Sequence, residues 1–325
     1  MDHALTRRRR GTEEDHVSPR DYSKLHLGTA PDSWGVWFPY TPEQVPWEQY
    51  LDEVPKAGYR YTELGPYGYN PSDPVRLKEE LGRRGLTLTG GTVQTKLQRG
   101  RAAWQEAKEA CDAEARTLLP LGAEYVVILP EGTTDLDGKP AIDRSLADDG
   151  WRDLMALHDE LGKYLLEQHG LKLVYHSHAD SHVETHDEIV RLLDGTDPRY
   201  VNLCLDTGHV AYGRADSLAL IRDFPERIAY VHLKQVDPAV RDRAQAEQWG
   251  FAPACRRGVM IEPPKGEPAM EPVLDALAAL DRDLFCIVEQ DMLGCALDAP
   301  LPVATRTRVY FEGIGLGPGR PLPAR

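Results

Sequence analysis

The sequence lacks a long apolar segment and a set of regularly spaced cysteines. These two absences argue against a membrane-spanning helix and against a small fold held together by disulfides. None of its 325 residues belongs to a run approaching the ~18 uninterrupted apolar residues of a membrane span. Its five cysteines, an odd number without Cys-x-x-Cys spacing, argue for a reducing compartment. The basic run Arg7 to Arg10 is followed by Gly-Thr-Glu-Glu-Asp, whereas a signal peptide needs an apolar stretch there. We therefore expect a cytoplasmic protein without a membrane partner.

Basic residues are scarce relative to acidic ones. The chain has 38 Lys and Arg against 52 Asp and Glu, a net charge of −14 at pH 7. General binders of the nucleic-acid backbone show a basic surface instead. No Gly-x-Gly-x-x-Gly follows a candidate strand, and no serine stands in a nucleophile-elbow pattern. We expect a small-molecule ligand, no nucleic-acid partner, and neither dinucleotide redox chemistry nor nucleophilic hydrolysis.

The chain does have a regular alternation of short apolar runs and longer amphipathic runs. Eight candidate strands, each followed by a helical pattern, occupy 25–30, 61–65, 86–91, 125–130, 171–178, 201–209, 228–234 and 284–291. Strands separated by helices of this length are parallel, and nearly continuous apolar runs indicate strands covered on both faces. This pattern predicts an α/β protein, a single (β/α)8 TIM barrel at residues 25–315, with flexible tails at 1–24 and 316–325.

Polar side chains follow the apolar runs at the points where the barrel strands should end. In TIM barrels this end of the strands carries the function. Six of the 11 histidines fall between positions 176 and 232. Imidazole together with carboxylate suits a divalent ion, Mn²⁺ first and also Zn²⁺, Co²⁺ or Fe²⁺. Cys204 and Cys286 lie inside apolar runs and are expected to behave as small hydrophobes, so we expect no thiolate ligand.

Asp206, His232 and Glu289 occupy corresponding positions on three successive strands, which makes them candidate metal ligands. The alternative is that they are capping residues with no ion. His176 and His178 are two residues apart on a strand and should share one face. We expect one of them to bind the metal and the other to contact substrate or support the site.

Three further residues are candidates for substrate contact. Lys234 shares a face with the preceding histidine and could hold a phosphate, polarise a carbonyl or stabilise an enolate, or else be a solvated lysine at the rim. Trp34 and Trp37, after the first strand, suit stacking against the ring of a sugar or cyclitol. The alternative for both tryptophans is a hydrophobic lid or a subunit contact, and a homo-oligomer stays open.

The motifs LDTGHV, VHLK and VEQD on strands six, seven and eight resemble the xylose isomerase-like TIM-barrel superfamily over roughly residues 25–315. That superfamily includes sugar phosphate isomerases and epimerases, inosose dehydratases and endonuclease IV. The resemblance implies that Asp206, His232 and Glu289 bind the metal and that His209 contacts substrate. The endonuclease branch implies a basic DNA surface, which the net charge of −14 opposes.

One position departs from that pattern. Family members commonly end strand five with a metal-binding glutamate in a Glu-Asn-His stretch, where this chain has His176-Ser177-His178. The epimerases of the family use two glutamates on opposite faces of the substrate. The substitution therefore favours isomerisation or elimination of water over symmetric epimerisation. The segment APDSWGVWFP also resembles inosose dehydratases.

The expected function is that of a metal-dependent isomerase or epimerase of a keto-sugar or keto-cyclitol, working by α-proton abstraction and a metal-stabilised enediolate. The alternatives are an inosose dehydratase-type lyase and a non-catalytic binding barrel. The predicted catalytic residues are Glu289, His176 and His209. The predicted metal ligands are His176, Asp206, His232 and Glu289, and the predicted substrate contacts are His178, His209, Lys234, Trp34, Trp37 and Glu63.

Overall fold

The computed structural model describes residues 20–317 and contains the predicted TIM barrel. In chain order the strands are β1 Leu25–Thr29, β2 Tyr61–Thr62, β3 Thr87–Leu88, β4 Gly90–Thr95, β5 Tyr125–Pro130, β6 Lys172–His176, β7 Val201–Asp206, β8 Ile228–Leu233, β9 Gln235–Val236, β10 Met260–Ile261 and β11 Leu284–Val288. The barrel sheet is parallel and runs in the order β3-β2-β1-β11-β8-β7-β6-β5-β4.

Two of these strand segments share one barrel position. Thr89 separates β3 from β4, and its backbone N–H donates to Thr62 O at 3.0 Å. β3 pairs with β2, and β4 pairs with β5 on the other side. Leu64 N then donates to Gly90 O at 3.0 Å, so the ring closes through this broken strand. The nine segments thus fill eight barrel positions, and the predicted fold class is confirmed.

Every barrel strand is followed by helix, because amphipathic crossovers cover the outer face of the parallel sheet. The helices are α1 Trp47–Lys56, α2 Pro74–Arg84, α3 Trp104–Leu118, α4 Asp148–Tyr164, α5 His186–Gly195, α6 Thr207–Tyr212, α7 Ser217–Asp223, α8 Pro238–Ala246, α9 Phe251–Arg256, α10 Met270–Ala278 and α11 Pro300–Gly313. Local sequence sets their ends: Thr185 and Glu188 form a capping box at α5, and Gly85 ends α2 with φ 65°.

A small apolar layer fills the barrel interior below the carboxyl ends of the strands. Its buried members come from six strands or strand ends: Ala30, Val127, Val174, Cys204, Tyr230 and Ile287. In a strand, residues i and i+2 point to the same face. Four members are therefore followed, two residues later and on the same inward side, by His176, Asp206, His232 and Glu289. This layer lies directly beneath these polar side chains, and we call it the floor of the barrel.

The predicted strands are too long at their carboxyl ends. The runs 171–178, 201–209, 228–234 and 284–291 end as strands at 176, 206, 233 and 288. The reason is clearest at β7, where the side chain of Asp206 accepts hydrogen bonds from Gly208 N and His209 N and begins α6. His178 and Lys234 consequently lie in loops, and His209 lies at the start of α6.

An excursion between β8 and α10 was not predicted from the sequence. We refer to residues 235–269 as the roof: β9 and β10 pair antiparallel within it, and α8 and α9 lie between them. It has its own apolar cluster, in which Phe251, Val236 and Met260 pack with Tyr212 of α6. The roof therefore packs over the carboxyl end of β7.

The predicted tails at 1–24 and 316–325 lie mostly outside the described residues, so the domain boundaries stay a prediction. Tyr22, just inside the described range, is buried, and its hydroxyl donates to Asp275 Oδ1 at 2.6 Å. Between residues 20 and 317, none of the helices has both the length and the apolar character needed to cross a membrane.

Candidate metal and substrate site

The carboxyl ends of the strands surround a cavity that is open to solvent. Its lining is mostly polar and is drawn from strands β4, β5, β6 and β8, from the start of α6, and from the segments after β1, β6, β8 and β11. The lining residues are Asp32, Thr92, Val127, Leu129, His176, His178, His209, His232, Lys234, Glu289 and Asp291. This is the end of the barrel at which the sequence predicts the site.

Four of the predicted residues meet at the bottom of this cavity. One donor atom from each of His176, Asp206, His232 and Glu289 lies within 4.8 Å of the others, and all four side chains are buried. His176 Nε2 is 3.2 Å from Asp206 Oδ2, and His232 Nδ1 is 3.0 Å from Glu289 Oε2. We call these four residues the quartet. Two imidazoles and two carboxylates at this spacing form a donor set that could hold a divalent ion.

The surroundings of His232 test whether the quartet suits a cation. Its Nε2 lies 2.9 Å from Glu63 Oε2, while its buried Nδ1 faces Glu289 and Asp206 without hydrogen-bond geometry. Histidines that bind metals commonly donate their other N–H to a carboxylate, as Nε2 can do here. Burial opposes a charge on this ring, yet the neighbouring Cys204, Glu289 and Glu63 raise the pKa of His232 well above its ordinary value. The site therefore favours positive charge beside Nδ1, and the residues fit a cation.

The two carboxylate oxygens of Asp206 have different partners. Oδ1 accepts from Gly208 N and His209 N, both at 2.8 Å. Oδ2 faces the cavity, 3.2 Å from His176 Nε2 and 3.2 Å from Lys234 Nζ. Burial alone would raise the pKa of Asp206, but the nearby charge of Lys234 and the hydrogen bond from His176 hold it well below its ordinary value. Asp206 is thus fixed in orientation and ionised.

Lys234 is the only lysine or arginine among the described residues that line the cavity, and it is almost completely buried. Its Nζ lies 3.2 Å from Asp206 Oδ2, 3.0 Å from Glu289 Oε2 and 2.9 Å from Asp291 Oδ2. Burial opposes its charge, but these carboxylates raise the pKa of Lys234 well above its ordinary value. The alternative of a solvated lysine at the rim is wrong, because the side chain lies inside the ring of acids.

Two lining carboxyls were not assigned a role from the sequence. Burial and the charges of Glu289 and Asp291 raise the pKa of Asp32 well above its ordinary value, despite the opposing effect of Lys234. Burial likewise raises the pKa of Asp291 despite its contact with Lys234. A signal was present for both: Asp32 follows the apolar run of β1, and Asp291 follows that of β11, as the other site residues follow their strands.

His178 and His209 form one wall of the cavity, with ring centroids 3.9 Å apart. His178 Nδ1 donates to Ala179 O at 2.7 Å, and His209 Nδ1 accepts from Ala179 N at 3.1 Å. Burial and the neighbouring His176 lower the pKa of His178 to about 3. Burial and His178 lower that of His209 well below its ordinary value. Both rings are neutral at pH 7, and only His176 of the expected strand pair joins the quartet.

The roof covers this wall, and no pattern in the sequence predicts that contact. The ring of Phe251 lies 5.2 Å from that of His178 and 5.0 Å from that of His209. Trp37 stacks on Phe251 at 5.9 Å with an interplanar angle of 6°. The half-buried Trp37 therefore belongs to a lid over the histidine wall, which is the alternative considered for it.

Trp34 and Glu63 lie elsewhere than expected for substrate contacts. Trp34 is completely buried: its indole N–H donates to Glu53 Oε2 at 2.8 Å and its ring packs edge-on against Tyr50. No face of this ring reaches the cavity, so stacking on a substrate is wrong for Trp34. Glu63 lies behind His232, and its Oε1 accepts from Thr92 Oγ1 at 2.5 Å. That position orients the imidazole; a direct substrate contact by Glu63 stays a prediction.

Comparison with known proteins gives one family and several relatives. A family model described as a xylose isomerase-like TIM barrel matches residues 51–304. An inosose dehydratase of Geobacillus kaustophilus is 32% identical over 302 residues, covering 89% of this chain and 94% of the relative. One of Geobacillus thermodenitrificans is 30% identical, covering 90% and 99%. Among solved structures, the IolI protein with a bound zinc atom superposes with a TM-score of 0.63 at 16% identity, covering 88% and 97%.

Proposed function

The chain belongs to the xylose isomerase-like TIM barrel family, and we propose that within it the chain acts as an inosose dehydratase, a lyase that removes water from a keto-cyclitol. One observation carries this proposal: the inosose dehydratases of two Geobacillus species resemble the chain over about nine-tenths of its length. The isomerase or epimerase expected from the sequence is wrong on the same finding. The alternative of a dehydratase-type lyase replaces it.

The proposed reaction balances without an oxidant or reductant. An inosose is a six-membered carbon ring with one ketone and hydroxyls on the other carbons. A base removes the proton from the carbon beside the ketone, and the hydroxyl on the next carbon leaves with a proton as water. The electrons of the broken C–H bond become the new C=C bond. Because the first carbon itself bears a hydroxyl, the product is an enol that rearranges to a 1,2-diketone.

The quartet supports the metal that this chemistry calls for. We propose that His176, Asp206, His232 and Glu289 hold a divalent ion, Mn²⁺ in the first instance, with Zn²⁺, Co²⁺ and Fe²⁺ also compatible with two nitrogen and two oxygen donors. Such an ion, when bound, polarises the ketone and makes the adjacent C–H bond more acidic. Glu63 orients the His232 ring by accepting a hydrogen bond from His232 Nε2.

The protonation states of the cavity carboxyls suggest how protons move. Burial opposes ionisation of Glu289, but His232 and Lys234 hold its pKa well below the ordinary value, so it is ionised and can accept the α-proton. Asp32 has a raised pKa, which supports it as the acid that protonates the departing hydroxyl. Lys234, His178 and His209 complete the polar wall and are proposed to hold the ring hydroxyls.

The lining also supports a lyase over an epimerase. Glu289 is the only glutamate among the described residues that line the cavity. His176 occupies the position where the family resemblance implies a second one. Proton exchange on two opposite faces of a substrate needs a matched pair of carboxylates, which the described lining does not provide. Elimination needs one base and a different acid.

The test is an assay of the full chain with an inosose, supplied in turn with Mn²⁺, Zn²⁺ and Co²⁺. We expect a product lighter by one water, detected by mass spectrometry, and a rising ultraviolet absorption from the conjugated product. Glu289→Gln should lose at least about 100-fold in turnover, the usual scale for a general base. Glu106→Gln, on the exposed face of α3, is the matched control and should keep wild-type activity.

Two results would overturn the proposal. Release of a stereoisomer with no loss of water, or full activity in the Glu289→Gln variant, would each contradict a Glu289-dependent lyase. A metal-loaded protein that does not react with inososes would favour the alternative of a non-catalytic binding barrel. Elemental analysis of wild type, Asp206→Ala and His232→Ala tests the metal separately, and the ion should be lost in both variants.

A further inference from the structure

Cys204 lies directly beneath the quartet, in the floor of the barrel. It stands on β7 two residues before Asp206, so both side chains point inward, and its side chain is completely buried. From the sequence it is a small hydrophobe in an apolar run, and it does pack in the interior layer with Val174 and Tyr230. Its depth in the barrel, however, places the thiol among metal-binding side chains.

The thiol shares two imidazoles with the site above it. Donor atoms of His176, Cys204 and His232 all lie within 4.8 Å of one another. The Nδ1 atoms of His176 and His232 are buried and have no hydrogen-bond partner among the described residues. The floor therefore presents one sulfur and two imidazoles, each with an Nδ1 atom that is not engaged in a hydrogen bond. Two nitrogens and one sulfur form a softer set than the two nitrogens and two oxygens of the quartet.

We propose that His176, Cys204 and His232 form a second, thiophilic metal site that overlaps the quartet and takes Cd²⁺ or Zn²⁺. Because the two sites share both imidazoles, they hold one ion at a time. A thiophilic ion lies deeper, bound to sulfur, while Mn²⁺ stays with the carboxylates above. On binding, the thiol releases its proton to solvent and the sulfur lone pair forms the bond to the ion. The proposal rests on the metal-binding part of the proposed function.

The difference in donor atoms explains why the two sites need not interfere. Cys204 supplies a soft sulfur, whereas Asp206 and Glu289 supply oxygens. A hard ion such as Mn²⁺ prefers oxygen donors. The softness of the ion therefore decides which set of donors is used.

The test uses the full chain and two metals as probes, Cd²⁺ and Mn²⁺. Cd²⁺ should produce a sulfur-to-metal charge-transfer band in the ultraviolet and a Cd–S distance in the X-ray absorption spectrum. Cys204→Ser should lose both and bind Cd²⁺ about 100-fold more weakly, at the upper end of losses seen for groups that support metal sites. Its Mn²⁺ affinity should be unchanged. Cys286→Ser is the matched control, since Cys286 is also completely buried in a barrel strand and belongs to neither donor set.

The outcomes separate this proposal from the proposed function. A Cd–S signal that persists in Cys204→Ser, or a wild-type spectrum with no Cd–S distance, overturns the thiophilic site. If the variant fails to fold, the wild-type spectrum alone decides. A Cd–S signal lost in Cys204→Ser, in a protein that binds no Mn²⁺, supports the thiophilic site and counts against Mn²⁺ in the proposed function.

Discussion

At the mouth of the barrel, Asp206, Glu289 and Asp291 surround the ammonium group of Lys234 at 2.9 to 3.2 Å. On the outer side of β4, Glu114 points from α3 into the interface between helix and sheet, and neither of its oxygens has a hydrogen-bond partner among the described residues. Its carboxyl occupies the space over Gly91, where a Cβ would overlap Glu114 Oε1. Both regions are fully buried, and they differ in what faces the carboxylates.

The comparison shows that burial by itself does not set the charge of a carboxyl in this barrel. Burial raises the pKa of Glu114 to about 8, helped by the charge of Glu63. For Asp206 and Glu289 the same penalty is outweighed by neighbouring cations, including Lys234, and their pKa values fall well below the ordinary range. At pH 7 Glu114 is therefore mostly protonated while the two site carboxylates are ionised.

The largest effect is expected from removing the compensating cation. Lys234→Met leaves three buried acids facing one another, which should lower the free energy of unfolding by about 3–5 kcal/mol. The loss should be smaller at pH 5 than at pH 8, because the variant can protonate these acids in the folded state. Urea unfolding in the presence of a chelator measures it. Lys163→Met, on the exposed face of α4, is the control, and an equally small loss in both variants would contradict the role of Lys234.

The second effect is a gain in stability, which we expect when Glu114 is replaced. Glu114 has a folded pKa of about 8, above its ordinary value, so wild type loses stability as pH rises from about 4.5 to 8, by up to about 1.4 kcal/mol per pH unit. Glu114→Gln removes this pH dependence and should be more stable than wild type by about 4 kcal/mol at pH 8. At pH 4 the two should be nearly equal.

Urea unfolding at pH 4, 6 and 8 checks the Glu114 prediction. Glu109→Gln lies on the same helix with an exposed side chain and should follow the wild-type curve. Parallel curves for wild type and Glu114→Gln would mean that Glu114 is not held in its neutral form, and the contrast between the two regions would fail.

The smallest effect concerns a carboxylate held by neutral donors. Asp180 Oδ2 accepts from Thr134 Oγ1 at 2.6 Å and from Phe251 N at 2.5 Å, and so fastens the roof to the barrel. Its φ of 58° is tolerated by Asn as well. Asp180→Asn weakens both bonds and should cost about 1 kcal/mol.

The roof should then be cut faster by protease, which limited proteolysis followed by mass spectrometry detects within residues 235–269. Asp137→Asn, on an exposed loop, is the control. If cleavage of the roof were unchanged while global stability fell, Asp180 would not be the residue that holds the roof to the barrel.

The barrel and the quartet could be predicted from the sequence for one shared reason. Short-period apolar runs mark strands, and the side chain two residues beyond an interior apolar residue must point into the same lumen. That rule brings His176, Asp206, His232 and Glu289 together without any knowledge of the loops. The same rule applied to β1 would also have found Asp32.

The rest depends on tertiary contacts that the sequence does not display. Trp34 and Trp37 look alike in the chain, but one turns into the core beside Tyr50 and the other packs under the roof. The roof helices α8 and α9 are short and weakly periodic, and distant partners such as Asp180 hold them in place. In the sequence, Glu114 looks like an ordinary polar residue of an amphipathic helix. It is buried only because α3 packs on Gly91, which the sequence does not show.

The divided carboxylate of Asp206 has a consequence for how this scaffold can diverge. One oxygen begins a helix and the other faces the chemistry, so a substitution there alters folding and reactivity together. The side chain of His176 begins no helix, and His176 stands where the family resemblance implies a glutamate. We expect evolution to have explored new reactions at positions like His176 and to have left Asp206 alone. A designer seeking new activities in this barrel should choose sites in the same way.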